Sequence, residues 1–275
     1  MKPSICTAGV ILLCSALSRP LAAQWPEYPH AGVPRLPNGQ PNLDAPVPRT
    51  ADGKPDLSGL WRGGIAAVPA LPGQPAPAAS TTAPDGTPLA TFRDVGANIK
   101  GGLPLTPWGA AVLKKRKDDN SKDNPEAHCL PMGIIQFHTQ GAPRKFYQTP
   151  AALVILYEAS SGVRQIFTDG RPLPTNDPQP WWYGYSTGKW DGDTLVVQTA
   201  GFRDDGWLDI WGSPLTESGK LTERFRRTSF GRMEIDVTID DPKAYTKPWT
   251  VRVNQQIMVD TELLEFVCLE NQHFK

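Results

Sequence analysis

The sequence has little that would mark a nucleotide-dependent enzyme or a nucleic-acid-binding protein. Its 275 residues include 28 basic and 28 acidic side chains, so the formal net charge is zero. This balance gives no electrostatic reason to expect nucleic acid or an anionic membrane as a partner. The chain also lacks a Gly-x-Gly-x-x-Gly turn, a Walker loop and a Cys-x-x-Cys pair. We therefore expect no cofactor and no nucleic-acid partner.

Long apolar runs are missing too, apart from one at the N-terminus. Lys2 precedes an apolar run over residues 5–17, and small residues stand just before Gln24. This order is typical of a cleaved secretory signal, and the run is shorter than the roughly 20 apolar residues that span a bilayer. We predict a signal peptide over residues 1–23, a periplasmic or secreted location, and no membrane insertion after cleavage.

Cysteine is scarce, and signal cleavage would make it scarcer. Cys6 and Cys14 would be lost, which leaves Cys129 and Cys268 as the one possible intramolecular pair. An oxidising compartment favours a disulfide between them. The alternatives to this disulfide are two buried thiols or a catalytic Cys129. The alternative to the cleaved secretory signal is a lipoprotein anchor on Cys14, although Leu13 stands where that anchor signal needs a small residue.

Proline is unevenly distributed and divides the chain. Residues 25–90 hold fourteen of the 29 prolines, which predicts a largely extended or irregular segment. We predict a proline-rich arm over residues 24–105 with a first strand near 56–62, followed by a helix-plus-barrel domain over 106–275. Thr106 and Pro107 are a good cap and first residue for a short helix over 106–117.

Beyond residue 146 the pattern is one of strands and short turns. Asp191-Gly192-Asp193 separates two strand-like segments, as a two-residue hairpin turn does. Apolar side chains alternate with polar ones over residues 233–239 and again over 251–257, and a last strand is predicted over 263–268. About nine strands are expected. The fold class is therefore all-β, an antiparallel meander that forms a lipocalin-like barrel or a sandwich.

Several segments resemble those of known protein groups. Asp56-Leu-Ser-Gly-Leu-Trp61 resembles the Gly-x-Trp that opens lipocalin-like (calycin) barrels. Four segments resemble the signature segments of a large group of secreted bacterial proteins. They are the same segment extended back to Asp52, Phe167-Thr-Asp-Gly-Arg171, Gly188-Lys-Trp-Asp-Gly-Asp-Thr-Leu-Val-Val197 and Thr238-Ile-Asp-Asp-Pro242. The second resemblance implies export and a shared fold but assigns no catalytic residue.

An aromatic cluster is the first candidate site. On a strand, Trp181, Tyr183 and Tyr185 would share one face, and Trp190 follows shortly after them. Such a stripe would line a pocket for an aromatic, terpenoid or sugar ligand. The alternative is that these rings only pack the barrel core and rim.

Two histidines are the candidate general bases. His138 and His128 lie in the part of the chain that the fold should position, and a near-neutral imidazole is the usual base. Tyr185 or Asp169 would then polarise or orient a substrate. The spacing of the histidines matches no zinc pattern, so no metal site is predicted. Ordinary structural hydrogen bonding is the alternative.

Charged residues supply the remaining candidates. Asp204 and Asp205 lie in an apparent loop where carboxylates could contact a ligand or calcium, and Arg164 could bind a ligand carboxylate if it points inward. Turn chemistry and cross-strand ion pairing are the structural alternatives.

Three functions remain open from the sequence. The leading hypothesis is an exported β-barrel that binds a small apolar or aromatic molecule, or a glycoside, in an aromatic-lined pocket. A cofactor-independent lyase, isomerase or hydrolase with a histidine base in the same pocket is the second. The third is an interaction module at the cell envelope whose proline-rich arm binds a partner.

Overall fold

The structure is a computed structural model, and it describes residues 30–63, 80–176 and 178–269. The predicted signal segment, the proline run at 69–77 and His273 lie outside the described residues. Within the described ranges, none of the helices is long and apolar enough to cross a membrane.

Two α-helices, two short 3-10 helices (Pro125–His128 and Ala159–Ser161) and eleven strands make up the regular structure of the described ranges. The α-helices are α1 (Pro107–Asp118) and α2 (Ile134–Thr139). The strands are β1 (Gly59–Gly63), β2 (Arg144–Gln148), β3 (Ala152–Tyr157), β4 (Val163–Phe167), β5 (Tyr185–Asp191), β6 (Thr194–Ala200), β7 (Gly206–Trp207), β8 (Pro214–Leu215), β9 (Lys220–Ser229), β10 (Arg232–Asp240) and β11 (Trp249–Met258).

Nine of these strands close into a barrel, in the order β1-β11-β10-β9-β6-β5-β4-β3-β2, while β7 and β8 form a separate ribbon. Closure is made by β1, which pairs with β11 on one side and with β2 on the other. The all-β prediction is confirmed, and of its two alternatives the barrel is the one that forms.

The barrel core follows the two-residue period of its strands. On β10 the side chains of Met233, Ile235, Val237 and Ile239 are buried, and the residues between them face outward. The predicted hairpin is confirmed, because β5 and β6 meet with Asp191 opposite Thr194. The same alternation on β9 buries two charged residues, Glu223 and Arg227, and Glu223 belongs to the site described below.

Of the two α-helices, α1 was predicted from the sequence and α2 was not. Thr106 caps α1 by accepting a hydrogen bond from the Gly109 backbone N–H at 3.0 Å. Helix α2 was not predicted, and it forms although its sequence, Ile-Ile-Gln-Phe-His-Thr, has a weak helix propensity. Five of its six residues are buried, so tertiary packing stabilises it. The strand predicted over 263–268 is wrong, since that segment forms no strand.

The described parts of the arm and the C-terminal segment pack on the barrel. Ala45 accepts a backbone hydrogen bond from Phe230 at 2.8 Å, and Leu57 is fully buried. The predicted disulfide is confirmed: Cys129 and Cys268 are bonded, with their Cα atoms 5.7 Å apart. It ties the C-terminal segment to the turn between α1 and α2.

One strand pair departs from the predicted antiparallel meander. Strands β4 and β5 are parallel, and only two residue pairs join them, Ile166 with Ser186 and Phe167 with Thr187. The long connection over residues 168–184 carries the chain back along the barrel before β5 begins. The barrel wall is therefore least continuous at this seam, and the candidate site lies there.

Candidate functional site

A cleft of about 410 Å³ opens at the seam between β4 and β5. Its walls come from the two strands and from the connection between them, and most of its lining is aromatic or aliphatic. We call it the aromatic cleft, and its lining residues are Val163, Arg164, Gln165, Phe167, Arg171, Pro172, Pro174, Trp181, Trp182, Tyr183, Gly184, Tyr185, Ser186 and Thr187. The volume falls within the usual range for small-molecule sites.

Two stacked pairs form the outer part of the cleft. Trp181 is half exposed and stacks on Tyr185 with the ring centroids 4.4 Å apart. The Tyr185 hydroxyl donates a hydrogen bond to the Gln179 carbonyl oxygen, at 2.9 Å, which fixes this ring. The Arg171 guanidinium lies 3.9 Å from the Phe167 ring centroid and is also paired with Asp169. The cleft therefore presents ring faces together with one exposed cation.

Tyr183 forms the inner boundary of the cleft. Its ring contacts Phe137 and Tyr157, with centroid distances of 5.6 and 5.9 Å. Its hydroxyl is buried and has no hydrogen-bond partner among the described residues. Gly162 packs against this hydroxyl so closely that a Cβ atom there would collide with it. Tyr183 thus separates the cleft from the barrel interior.

Behind Tyr183 lies a group of buried polar side chains that we call the polar core: His138, Arg144, Tyr157, Arg164 and Glu223. Glu223 is its centre. Its Oε1 atom accepts a hydrogen bond from Arg164 Nη1 at 3.0 Å and lies 2.9 Å from His138 Nε2. Its Oε2 atom accepts a hydrogen bond from Arg164 Nη2.

The polar core is connected to the cleft by the hydrogen bonds that Arg164 makes in addition to those with Glu223. Its guanidinium donates to Thr199 Oγ1 at 2.9 Å and to Ser186 Oγ at 3.2 Å, and both Arg164 and Ser186 line the cleft. The cleft wall is therefore linked to His138 by two consecutive hydrogen bonds through Glu223.

Electrostatics fix the protonation of this group. Burial lowers the pKa of His138 to about 4, so the imidazole is neutral at pH 7. Burial alone would raise the pKa of Glu223, but the charge of Arg164 and the hydrogen bonds from Arg164 and His138 outweigh it and lower that pKa to about 2. Glu223 also holds the pKa of Arg164 above its usual value, against the effect of burial.

The ionised carboxylate also selects the tautomer of His138. Because Glu223 can only accept, the hydrogen between them must lie on Nε2 of the neutral ring. His138 Nδ1 then carries a lone pair, and this atom is buried without a hydrogen-bond partner among the described residues. A carboxylate-oriented imidazole with a free lone pair can accept a proton from a correctly placed group.

Comparison with family models, with curated proteins and with solved structures finds no match.

The structure brings some of the predicted site residues together. Trp181, Tyr183, Tyr185 and Arg164 all line the aromatic cleft. The first three do not share one strand face, because β5 begins only at Tyr185 and the preceding residues form a turn. His138 belongs to the polar core and lines none of the three cavities described in the structure.

Other predicted residues lie elsewhere. Trp190 packs against the core outside the cleft, with Lys54 6.0 Å from its ring centroid. His128 is exposed, with Nε2 2.9 Å from the Lys122 carbonyl oxygen, and lines a separate cavity of about 400 Å³. Asp169 is held by Arg171 just outside the cleft.

The acidic loop residues are paired at the surface. Asp204 lies 3.0 Å from Lys243 Nζ, and Asp205 lies 3.1 Å from Arg203 Nε. Asp205 lines the same separate cavity as His128. Among the described residues, no group of three His, Cys, Asp or Glu side chains could hold a metal ion.

Glu223, Ser186, Tyr157 and Thr199 are residues of the site that were missed from the sequence. Glu223 lies between Leu221 and Phe225 on the same buried face of β9. A carboxylate on the apolar face of a strand was the signal available in the sequence. Ser186 lies in Gly184-Tyr-Ser-Thr-Gly188, a Gly-x-Ser-x-Gly sequence. That motif indicates a nucleophile only on a strand-to-helix turn, whereas Ser186 lies within β5 with its hydroxyl bonded to Arg164 and Thr199.

Proposed function

We propose that this chain is an exported β-barrel protein that binds a small apolar or aromatic molecule, or a glycoside, in the aromatic cleft. The observation that carries the proposal is the cleft itself, a cavity of about 410 Å³ with stacked aromatic walls at the parallel seam between β4 and β5. A half-exposed tryptophan, Trp181, in the lining of this cleft is a suitable platform for a planar ring or for the apolar face of a sugar.

Export rests on the N-terminal signal pattern together with the Cys129–Cys268 bond, since disulfides persist mainly in oxidising compartments. The closed barrel in which Trp61 is fully buried is compatible with the lipocalin-like resemblance of the segment that ends there. Membership of that group and of the secreted bacterial group is part of the proposal.

Binding is tested by isothermal titration calorimetry with 2-naphthol and its β-glucoside as uncharged aromatic and glycosidic probes. We expect at least one of them to bind, and Trp181→Ala to weaken that binding at least tenfold by removing the stacked wall. Trp108→Ala is the matched control, because Trp108 is similarly exposed but lies on α1 outside the cleft. An unchanged Kd in Trp181→Ala, or no binding of either probe, would contradict the proposal.

A second candidate function is a cofactor-independent lyase, isomerase or hydrolase that uses His138 as its base. The hydrogen bond between His138 Nε2 and Glu223 favours it, because this bond leaves Nδ1 as a proton acceptor. In the structure His138 is fully enclosed, so a reacting group would have to pass Tyr183. Loss of turnover in His138→Gln with retained binding of the cleft ligand would support the enzyme; turnover equal to wild type would exclude His138 as the base.

A further inference from the structure

The chain after β11 is held on the barrel by little packing. Residues 259–269, which we call the C-terminal strap, form no helix or strand, and none of them is buried. Its side chains Phe266 and Val267 are exposed. A segment that buries so little apolar surface opens easily unless specific bonds hold it. The disulfide between Cys129 and Cys268 is the covalent bond that holds the strap.

The strap is hydrogen-bonded to the turn between β3 and β4, which spans residues 158–162. The Leu264 N–H donates a hydrogen bond to Glu158 Oε2 at 3.1 Å. The Ser161 hydroxyl donates to the Phe266 carbonyl oxygen at 2.9 Å. Both bonds lie close in sequence to the disulfide, so the disulfide holds the part of the strap that contacts the turn.

The turn has a backbone conformation that needs support. Ser160 and Ser161 have φ angles of 59° and 46°, in the left-handed region that residues other than glycine rarely adopt. Such residues persist where surrounding contacts hold them. Within the turn these contacts include backbone hydrogen bonds from Tyr157 to Gly162, at 2.8 Å, and from Ser161 to Glu158, at 3.3 Å. The hydrogen bonds from the strap add to them.

The turn packs directly against Tyr183, the inner boundary of the aromatic cleft. A Cβ atom on Gly162 would lie only 2.4 Å from the Tyr183 hydroxyl oxygen, so the Gly162 backbone fits tightly against that ring. Tyr157, which precedes the turn, has its ring 5.9 Å from that of Tyr183. Val163, which follows the turn, lines the cleft. A movement of the turn would therefore move the wall of the cleft.

The disulfide lies near the surface. Cys129 and Cys268 are only partly buried, and Leu130 beside Cys129 is exposed. Exposed disulfides are the ones that dithiols reduce most readily. The other contacts of the strap include ion pairs of Asp260 and Glu262, which are partly exposed and so contribute little stability. Breaking the disulfide would therefore free the end of the strap.

We propose that the Cys129–Cys268 disulfide regulates the aromatic cleft: reduction by a dithiol frees the strap from the turn, and the cleft loses affinity for its ligand. The dithiol gives two electrons and two protons to the bond, which yields two cysteine thiols and leaves the dithiol as its own disulfide. The reduced pair of a thiol–disulfide oxidoreductase is a dithiol of this class. Affinity falls because the ligand must then order a wall that was ordered beforehand. This regulation rests on the proposed ligand-binding function of the cleft.

The test measures the Kd of 2-naphthol and of its β-glucoside by isothermal titration calorimetry at pH 7, on oxidised protein and on protein kept reduced with dithiothreitol under argon. We expect reduction to raise the Kd of the probe that binds at least fivefold, and reoxidation to restore it. The double variant Cys129→Ser with Cys268→Ser should give the reduced value under both conditions. Circular dichroism checks that each form is folded.

Ser161→Ala separates the effect of the turn from a general loss of rigidity. It keeps the disulfide and removes the hydrogen bond to the strap, so the Kd of the oxidised protein should rise about threefold. In reduced protein the same substitution should have no further effect, because the strap has already left the turn. Ser160→Ala is the matched control, since Ser160 is also left-handed but does not bond the strap. It should leave the Kd unchanged.

Hydrogen exchange gives a second measurement that needs no ligand. The amides of Tyr157 and Ser161 donate the backbone hydrogen bonds of the turn. Reduction should make both amides exchange with deuterium at least tenfold faster, whereas the amides of β10 should not change.

The outcomes separate this inference from the function on which it rests. An unchanged Kd on reduction, with or without faster exchange, would overturn the regulation and leave the cleft as a ligand site. A Kd that rises on reduction without faster exchange of the turn, or without a rise in oxidised Ser161→Ala, would also overturn it. If the reduced protein unfolds, the oxidised Ser161→Ala and Ser160→Ala variants decide, and equal Kd values overturn the inference. If neither probe binds the oxidised protein, the proposed function fails and the regulation fails with it.

Discussion

Replacing Glu223 with glutamine should destabilise the barrel far more than the loss of a typical ion pair. The side chain is fully buried and receives hydrogen bonds from Arg164 and from His138, the latter at 2.9 Å. Glutamine keeps the shape but not the charge, so Arg164 would remain buried with no carboxylate. We expect the free energy of unfolding to fall by about 3–5 kcal/mol, as when one member of a buried pair is removed.

The matched control is an arginine–carboxylate pair at the surface. Asp191 lies 3.0 Å from Arg224 Nη2, and both side chains are exposed. Solvent screens this pair, and exposed pairs contribute about 0–1 kcal/mol. Asp191→Asn should therefore change the free energy of unfolding several-fold less than Glu223→Gln does.

The assay is equilibrium urea unfolding at pH 7, followed by tryptophan fluorescence and by circular dichroism. A third variant, Glu223→Gln with Arg164→Met, removes both charges and leaves neither unpaired. The double substitution should lower the free energy of unfolding by less than the sum of the two single substitutions, because each single substitution leaves one buried charge without its partner. If Glu223→Gln costs less than about 1 kcal/mol, as an exposed pair does, the account of the polar core given above is refuted.

Three further predictions follow from the same structure. Acid should lower the free energy of unfolding as the pH falls from 6.5 to 4, because burial lowers the pKa of His138 to about 4, so in this window His138 gains a proton in the unfolded chain but not in the folded one. The urea midpoint of His138→Gln should therefore depend less on pH over this range, and an unchanged slope would contradict the assignment. Replacing Cys129 and Cys268 by serine should reduce the free energy of unfolding by up to about 5 kcal/mol, since a bond across 139 residues restricts the unfolded chain; a loss below about 1 kcal/mol in chemical unfolding would argue against this entropic account. Tyr183→Phe should be neutral or stabilising in urea unfolding, because the hydroxyl it removes is buried without a partner; a clear loss of stability would indicate a partner for that hydroxyl.

The sequence predicted those elements whose signals are local. The Asp191-Gly-Asp193 turn and the Thr106 cap both depend on neighbouring residues only, and both form as expected. Alternation on β10 located the buried face for the same reason. The closed barrel was one of two architectures that such strands allow, and pairing between β1 and β11, at opposite ends of the described chain, decided it.

The candidate site was less predictable because it depends on tertiary contacts. His138 was singled out, but its partner Glu223 is 85 residues away on β9. Helix α2, which holds His138, forms through burial rather than propensity. Strands β4 and β5 are parallel, whereas a short hairpin would make consecutive strands antiparallel. The sequence of the connection over residues 168–184 contains no pattern that predicts this parallel pairing. Without that pairing the aromatic cleft could not have been located.

The weak seam between β4 and β5 also has a consequence for how the barrel fluctuates. A closed sheet has no free edge, so its backbone can open to solvent only where a strand pair separates. Most neighbouring strands are joined by long ladders, such as the eight pairs between β10 and β11, but β4 and β5 share two. The amide hydrogens of Phe167 and Ser186, which alternate with those bonded to β3 and β6 and so face this seam, should therefore exchange with deuterium well before those of β10. The same seam that forms the cleft sets the barrel's lowest-energy route of local unfolding.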